Sequence, residues 1–112
     1  RIAFGKPLSK MQVNAFKFVD MKIQIEAAQE FAYRCIRRMM RNEDATLDIS
    51  MCKVFCTTMH QYVATTCMQL WGGAGYMYEN PAGRAFVDSR LAAIGGGADE
   101  VMKQVVAKMM GI

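Results

Sequence analysis

Gln69-Leu70-Trp71-Gly72-Gly73-Ala74-Gly75-Tyr76 decides the fold of this 112-residue chain. Upstream of it, Cys52, Phe55, Met59, Tyr62 or Val63, Cys67 and Leu70 recur at helical intervals, while Lys53, Thr57 and Gln61 make the opposite face polar. Glycine lacks the Cβ that restricts the backbone and can take the positive φ that closes a helix, so no helix is expected to continue through Gly72, Gly73 and Gly75. A long helix, about residues 45 to 71, therefore ends in a corner of bare backbone. Such a corner serves as a plain helix stop, or as a place where a ligand approaches main-chain N–H groups.

Toward the N-terminus, Asn42, Glu43 and Asp44 interrupt the pattern, and Asp44 or Thr46 can cap the helix that follows. Before that break, about residues 10 to 41 carry two apolar stripes, Ile25, Ala28, Ala32, Cys35 and Met39 on one side and Phe16, Val19, Ile23 and Ala27 on another. A helix of that span reaches about 48 Å, so part of it is expected to pack against something beyond this domain. Two long helices joined by a short turn form an antiparallel hairpin. In residues 1 to 9, Gly5 and Pro7 interrupt any regular element and Ser9 can cap the first helix.

Toward the C-terminus, Asn80-Pro81 marks a helix start, with Asn as N-cap and Pro where its missing N–H is not needed. That helix, about 81 to 93, ends at Gly95-Gly96-Gly97, and a last helix, about 98 to 110, carries Asp99 and Glu100 in its first turn and the stripe Val101, Val105, Met109. No strand pattern is present. The fold class is all-α and four-helix-bundle-like, two long antiparallel helices completed by two shorter ones.

Composition narrows the function. The net charge of +4 is spread along the chain, which gives no nucleic-acid footprint, and the stripe Arg34, Arg37, Arg38, Arg41 reads as a solvated face at a helix C-terminus. No apolar run of membrane-spanning length and no signal peptide is present. Cys35, Cys52, Cys56 and Cys67 lie in apolar helical stripes, as reduced thiols in a reducing compartment do. Cys52, Cys56 and His60 share a helix face, but residues eight apart are separated by about 12 Å of rise, too far for bonds of about 2.0 to 2.3 Å to one metal ion. Neither glycine turn is a Walker loop or a dinucleotide fingerprint, since no Lys-Ser or Lys-Thr follows and no strand precedes. His60 lies mid-helix, and Asp99 and Glu100 point to different faces, so no acid–base pair is evident.

The motifs taken in order carry a resemblance. Arg1-x-x-Phe4-Gly5-Lys6-Pro7-Leu8, Gln12, Gln69-x-x-Gly72-Gly73-x-Gly75-Tyr76-x-x-Glu79-x-Pro81, Asp88-x-Arg90 and Ile94-x-Gly96-Gly97-x-x-Glu100 together resemble the C-terminal helical domain of the acyl-CoA dehydrogenase family. Opening on Arg1 and not on a methionine, residues 1–112 are then expected to be that domain of a longer chain, without the N-terminal helical and middle β domains.

The resemblance implies a flavoenzyme that uses FAD to oxidise an acyl-CoA thioester between Cα and Cβ and passes electrons to an electron-transfer flavoprotein. It further implies a homodimer or homotetramer in the bacterial cytoplasm or mitochondrial matrix. Position by position, Arg1 and Gln12 match residues that reach FAD across a dimer interface, and Gln69, Leu70, Trp71, Gly72 and Gly73 match the segment that holds its adenosine-diphosphate part. Ala98, Asp99 and Glu100 match the stretch that contacts the cofactor of the subunit's own site; family members commonly carry Thr in place of Ala98. Gly96 stands where many members have their catalytic glutamate, so no catalytic residue is expected in this chain. Isovaleryl-CoA and long-chain type members share that lack, and their base lies on the helix before the position of Arg1. The alternative from another class is a helical oligomerisation module that keeps the scaffold without the chemistry.

Overall fold

A helix that must bury apolar side chains on several sides becomes the centre of a bundle, and the second long helix does so here. The computed structural model describes all 112 residues, with helices α1 (Gln12–Met40), α2 (Thr46–Trp71), α3 (Gly73–Tyr76), α4 (Pro81–Ala92) and α5 (Asp99–Met110). α2 packs against α1, α4 and α5. No helix is long and apolar enough to cross a membrane.

α1 and α2 form the expected antiparallel hairpin. Met21, Ala28 and Cys35 are the buried positions of α1, seven residues apart, as a seam between two helices requires. Its pairs run in opposite sense along the two helices: Cys67 Sγ lies 3.8 Å from Met21 Sδ, Phe31 and Phe55 have ring centroids 6.3 Å apart, and Arg34 and Arg38 reach Asp48. Thr46 N–H donates to Asp44 Oδ1 at 2.9 Å, so Asp44 supports the start of α2. Asn80 Oδ1 accepts from Ala82 N–H at 2.9 Å with Pro81 at the first helical position, as its sequence dictates.

Several expectations are corrected. A two-stranded antiparallel ladder, β1 (Ile2–Ala3) with β2 (Lys6–Pro7), stands where no strand was expected, closed by Phe4 at φ 53° and Gly5 at φ 75°. Positive φ at both central residues is the backbone of a tight hairpin turn. Ser9 caps nothing, because Leu8–Lys10 form a 3-10 turn and Met11 precedes α1 without a side-chain cap. The glycine corner does contain one helical turn, α3, since Gly75 is buried and a Cβ there would lie 2.6 Å from Trp71 Cβ and from the Met68 carbonyl oxygen. Close packing, as much as flexibility, selects glycine at that position.

On the polar face of α2, Thr57 is buried and Lys53 nearly so against α5. The arginine stripe is solvated as expected, with the side chains of Arg34, Arg37 and Arg41 more than half exposed, and is also an ion-pair network: Arg34 and Arg38 hold the buried Asp48, and Arg38 and Arg41 hold Glu43. On α5, Val101 and Met109 are half exposed, and on α1 Met39 is too.

The four cysteines are free thiols. Cys52 and Cys56 Sγ lie 3.7 Å apart, and burial, reinforced by the Cys56 and Cys35 thiols, pushes the Cys52 thiol up to about 12. It is therefore a protonated apolar filler and not a nucleophile.

The second stripe of α1 stays uncovered: Phe16, Val19 and Ile23 are each more than half exposed, Ala27 is exposed, and Val13 one turn before Phe16 extends the patch. The chain exposes 7753 Å², where a compact monomer of this size exposes about 6,200 Å². Its radius of gyration, 17.1 Å, likewise exceeds the roughly 13 Å of a compact chain. The excess, about 1,500 Å², is the size of a protein interface.

Candidate functional site

The end of α2 leaves carbonyl oxygens without helical partners, and the N-terminal hairpin brings a cation to them. Leu8 N–H donates to the Arg1 carbonyl at 3.0 Å, which fixes the start of the chain across the helix end. From there Arg1 Nη1 donates to the Leu70 carbonyl at 3.2 Å. The chain leaves α2 through Gly72 at φ 64°, ψ −145°, a conformation that L side chains rarely adopt. A Cβ on Gly72 would stand 2.9 Å from Arg1 Cζ, so the guanidinium occupies the space a side chain would need. Gly73 differs: nothing lies within 4 Å of the Cβ it lacks.

Arg1, Leu8, Phe18, Cys67, Leu70 and Trp71 line a cavity of about 270 Å³ beside this junction. The structure thus brings together Arg1, Leu70, Trp71 and Gly72. Gln69 and Gly73 flank them on the exposed surface, and Gln12 opens α1 just after the turn that lines the cavity. Arg1 forms no ion pair and spends a single donor on Leu70, leaving most of its planar fork for an anion. A pyrophosphate-bearing ligand fits this donor set: Gly72 N–H is spent on the Met68 and Gln69 carbonyls, but Gly73 N–H has no partner and lies near a guanidinium with donors to spare and a half-exposed indole.

The second region is the Gly95–Gly97 turn and the start of α5. Gly96 has φ 64° with open space where a Cβ would be, and Gly97 has φ 95° beneath the Met102 side chain. Ala98 is the N-cap and gives no side-chain cap. Asp99 turns inward, its Oδ1 lying 2.7 Å from Lys53 Nζ, and Thr57 Oγ1 lies 3.1 Å from both carboxylate oxygens and from the Val54 carbonyl, its single proton shared among them. Burial alone would push the Asp99 carboxyl up, but the hydrogen bonds from Lys53 and Thr57 and the charges of Lys53 and Lys103 hold it below the ordinary carboxylate range. Glu100 is exposed. Along α2, Thr57 and Leu70 are about 20 Å apart, so the two regions are separate patches on one helix.

Sequence reasoning did not find Lys53 and Thr57. Their signal was a lysine and a threonine one turn apart on the polar face of α2, with an aspartate opening a later helix. Phe4 was quoted only as part of a motif, yet it stands nearly fully exposed at the hairpin tip.

The model of the family described as acyl-CoA dehydrogenase, C-terminal domain, matches residues 1–111. The long-chain specific acyl-CoA dehydrogenase of Sus scrofa mitochondria is 35% identical over 108 residues, which are 96% of this chain and 25% of that protein. Butyryl-CoA dehydrogenase from Megasphaera elsdenii, a solved structure, is 34% identical with a TM-score of 0.96 over 100% of this chain and 29% of its own. The FAD complex of PigA is 25% identical with a TM-score of 0.91, over 99% of this chain and 29% of its own. The chain spans about a quarter of the length of the curated relatives it matches.

Proposed function

This chain belongs to the acyl-CoA dehydrogenase family, and we propose that residues 1–112 are the C-terminal helical domain of a subunit that oxidises an acyl-CoA thioester between Cα and Cβ. The observation that carries the reading is the Arg1 guanidinium lying over the bare backbone of Gly72 at the end of α2, with its remaining donors free. FAD, when bound, supplies the acceptor for the hydride that leaves Cβ.

The work of this chain is to bind and orient. Arg1 pairs its fork with phosphate oxygens, Gly72 and Gly73 let the ligand meet main chain, and Gln69 offers both a donor and an acceptor. Leu70 anchors Arg1 through its carbonyl, Trp71 offers a flat apolar face, and Gln12 completes the patch from the start of α1. Ala98, Asp99 and Glu100 present main chain at the opening of α5 to a different FAD, that of the subunit's own site. The separation of about 20 Å along α2 supports the assignment of the two patches to two cofactors, which requires an oligomer. The exposed stripe of α1 and the excess surface support a homodimer or homotetramer. An electron-transfer flavoprotein is the proposed electron acceptor.

No residue of this chain takes the α-proton. Gly96 has no side chain, and its φ of 64° is one a glutamate would adopt only under strain. We therefore place the base on the helix preceding Arg1, as the resemblance to isovaleryl-CoA and long-chain members implies.

Flavin content tests the reading. The complete protein is expected to release FAD on denaturation and to bleach with an acyl-CoA; a protein that does neither is the non-catalytic oligomerisation module. Gly73→Leu and Gln69→Ala are expected to lower FAD content several-fold with helicity unchanged, since Gly73 has open space for a side chain. Full FAD occupancy in both variants would reduce the corner to a helix stop.

A further inference from the structure

The Gly95–Gly97 turn is held within itself by backbone alone, Gly95 N–H donating to the Leu91 carbonyl at 2.8 Å, with no side chain of its own to fix it. Two of its three glycines take positive φ, the missing Cβ of Gly96 faces open space, and Ala98 supplies no cap to the helix that follows. What fixes the opening of α5 comes from α2. Lys53 and Asp99 are ion-paired at 2.7 Å with side chains only 19% and 14% exposed, and Thr57 donates to the same carboxylate. No other side-chain hydrogen bond or ion pair ties α5 to the rest of the chain; Asp99 N–H adds one backbone bond to the Ala93 carbonyl at 3.0 Å. Lys53 and Thr57, four residues apart, sit on one face of α2 and grip the carboxylate from two sides.

We propose that Asp99 is a positioning residue: with Lys53 and Thr57 it forms a latch that sets the place of the Gly95–Gly97 turn and of the main chain at Ala98. Its carboxylate serves α2 and does not touch the cofactor. The functional half of this inference rests on the flavin reading above; the latch itself does not.

The latch predicts that Lys53, which no motif points to, governs the cofactor as strongly as Asp99 does. In a low-dielectric pocket, removing either partner strands the other charge, whereas removing both leaves a neutral contact. Lys53→Met, Asp99→Asn and the double variant are made in the complete protein, with Lys53→Arg as the conservative replacement. FAD affinity is measured by reconstituting apoprotein and following flavin fluorescence, and apoprotein melting is followed separately.

Both single variants are expected to weaken FAD binding by a similar factor, about threefold to tenfold, an order set by a misplaced hydrogen-bonding main chain. The double variant is expected to be no weaker than the worse single, and Lys53→Arg to restore affinity. Weakened binding in Asp99→Asn with none in Lys53→Met would mean that Asp99 meets the cofactor directly, and would overturn the latch. Additive losses in the double variant would do the same. A wild type without FAD would sink the flavin reading alone. The latch would then be judged by melting, where unchanged midpoints in both single variants would refute it. Should Lys53→Met fail to fold, Thr57→Val removes one hydrogen bond at nearly constant shape and is expected to weaken FAD binding in the same direction; unchanged affinity would count against the latch.

Discussion

Two adjacent glycines at the end of α2 should respond to the same substitution in opposite ways. Gly72 holds φ 64°, ψ −145°, and its missing Cβ is replaced by the Arg1 guanidinium. Gly72→Ala therefore carries a backbone strain of about 1–3 kcal/mol. It also displaces Arg1 from the Leu70 carbonyl, a loss of about 0.5–1.5 kcal/mol for one hydrogen bond at a partly open site. Arg1 is the far end of a flexible side chain, so the contact resolves by its swinging away, not by α2 bending. The sum, about 1.5–4.5 kcal/mol, should appear as a lower midpoint in urea denaturation. Gly73→Ala meets no atom and needs no positive φ. By restricting the unfolded chain it should be neutral or stabilise by up to about 1 kcal/mol.

Arg1→Ala separates the two terms: alone it loses only the hydrogen bond to Leu70, and adding Gly72→Ala in that background costs only the backbone strain. If Gly72→Ala were as stable as Gly73→Ala, the positive φ and the packing of Arg1 would both be refuted. If Arg1→Ala kept full FAD content in the complete protein, Arg1 would not be the anion-binding group.

Asp48→Asn keeps the shape but removes the charge that Arg34 and Arg38 hold at a side chain only 3% exposed. Because both arginines are partly solvated, the expected loss in urea denaturation is about 1.5–3 kcal/mol, below the full value for a buried pair; a loss under about 0.5 kcal/mol, the level of an ordinary surface change, would place the carboxylate outside the network. Asp99 has a folded pKa held below its unfolded value, so its stabilisation is present above the ordinary carboxylate range and is lost as pH falls through the depressed value. Denaturation midpoints measured from about pH 7 to about pH 3 should therefore show a shallower acid loss in Lys53→Met than in wild type, and identical slopes would contradict the pairing. Phe16→Glu with Ile23→Glu places charge on the exposed stripe of α1 and should lower the oligomeric state in sedimentation while helicity is kept; an unchanged assembly would put the interface elsewhere.

The bundle was legible because its signals are local. The break at Asn42 to Asp44, the cap at Asn80-Pro81 and the glycines after Trp71 each fix a helix end within a few residues, and each end lies where those residues put it. What escaped depends on contacts between distant parts of the chain. Lys53 and Thr57 read only as a polar face until α5 brings Asp99 against them, from more than forty residues away. Arg34 and Arg38 gain their shared ion-pair partner only when the hairpin folds Asp48 beneath them. The β1–β2 ladder is two residues per strand, too short for any alternation to register, and depends on Phe4 adopting a φ its side chain disfavours. For the site, Arg1 and the Gly72 corner were joined by motif order alone; the folded chain adds that they touch.

α2 also acts as a ruler with a phase. Each residue advances about 1.5 Å and turns about 100°, so the span from Thr57 to Leu70 fixes both how far apart the two patches lie and the angle between them. Insertion of one residue there would barely lengthen α2, yet it would rotate the Arg1 corner away from the plane set by the Lys53–Asp99 latch. Seven residues would nearly restore the angle and move the patches about 10 Å farther apart. The length of this segment is thus tied to an angle as well as to a distance.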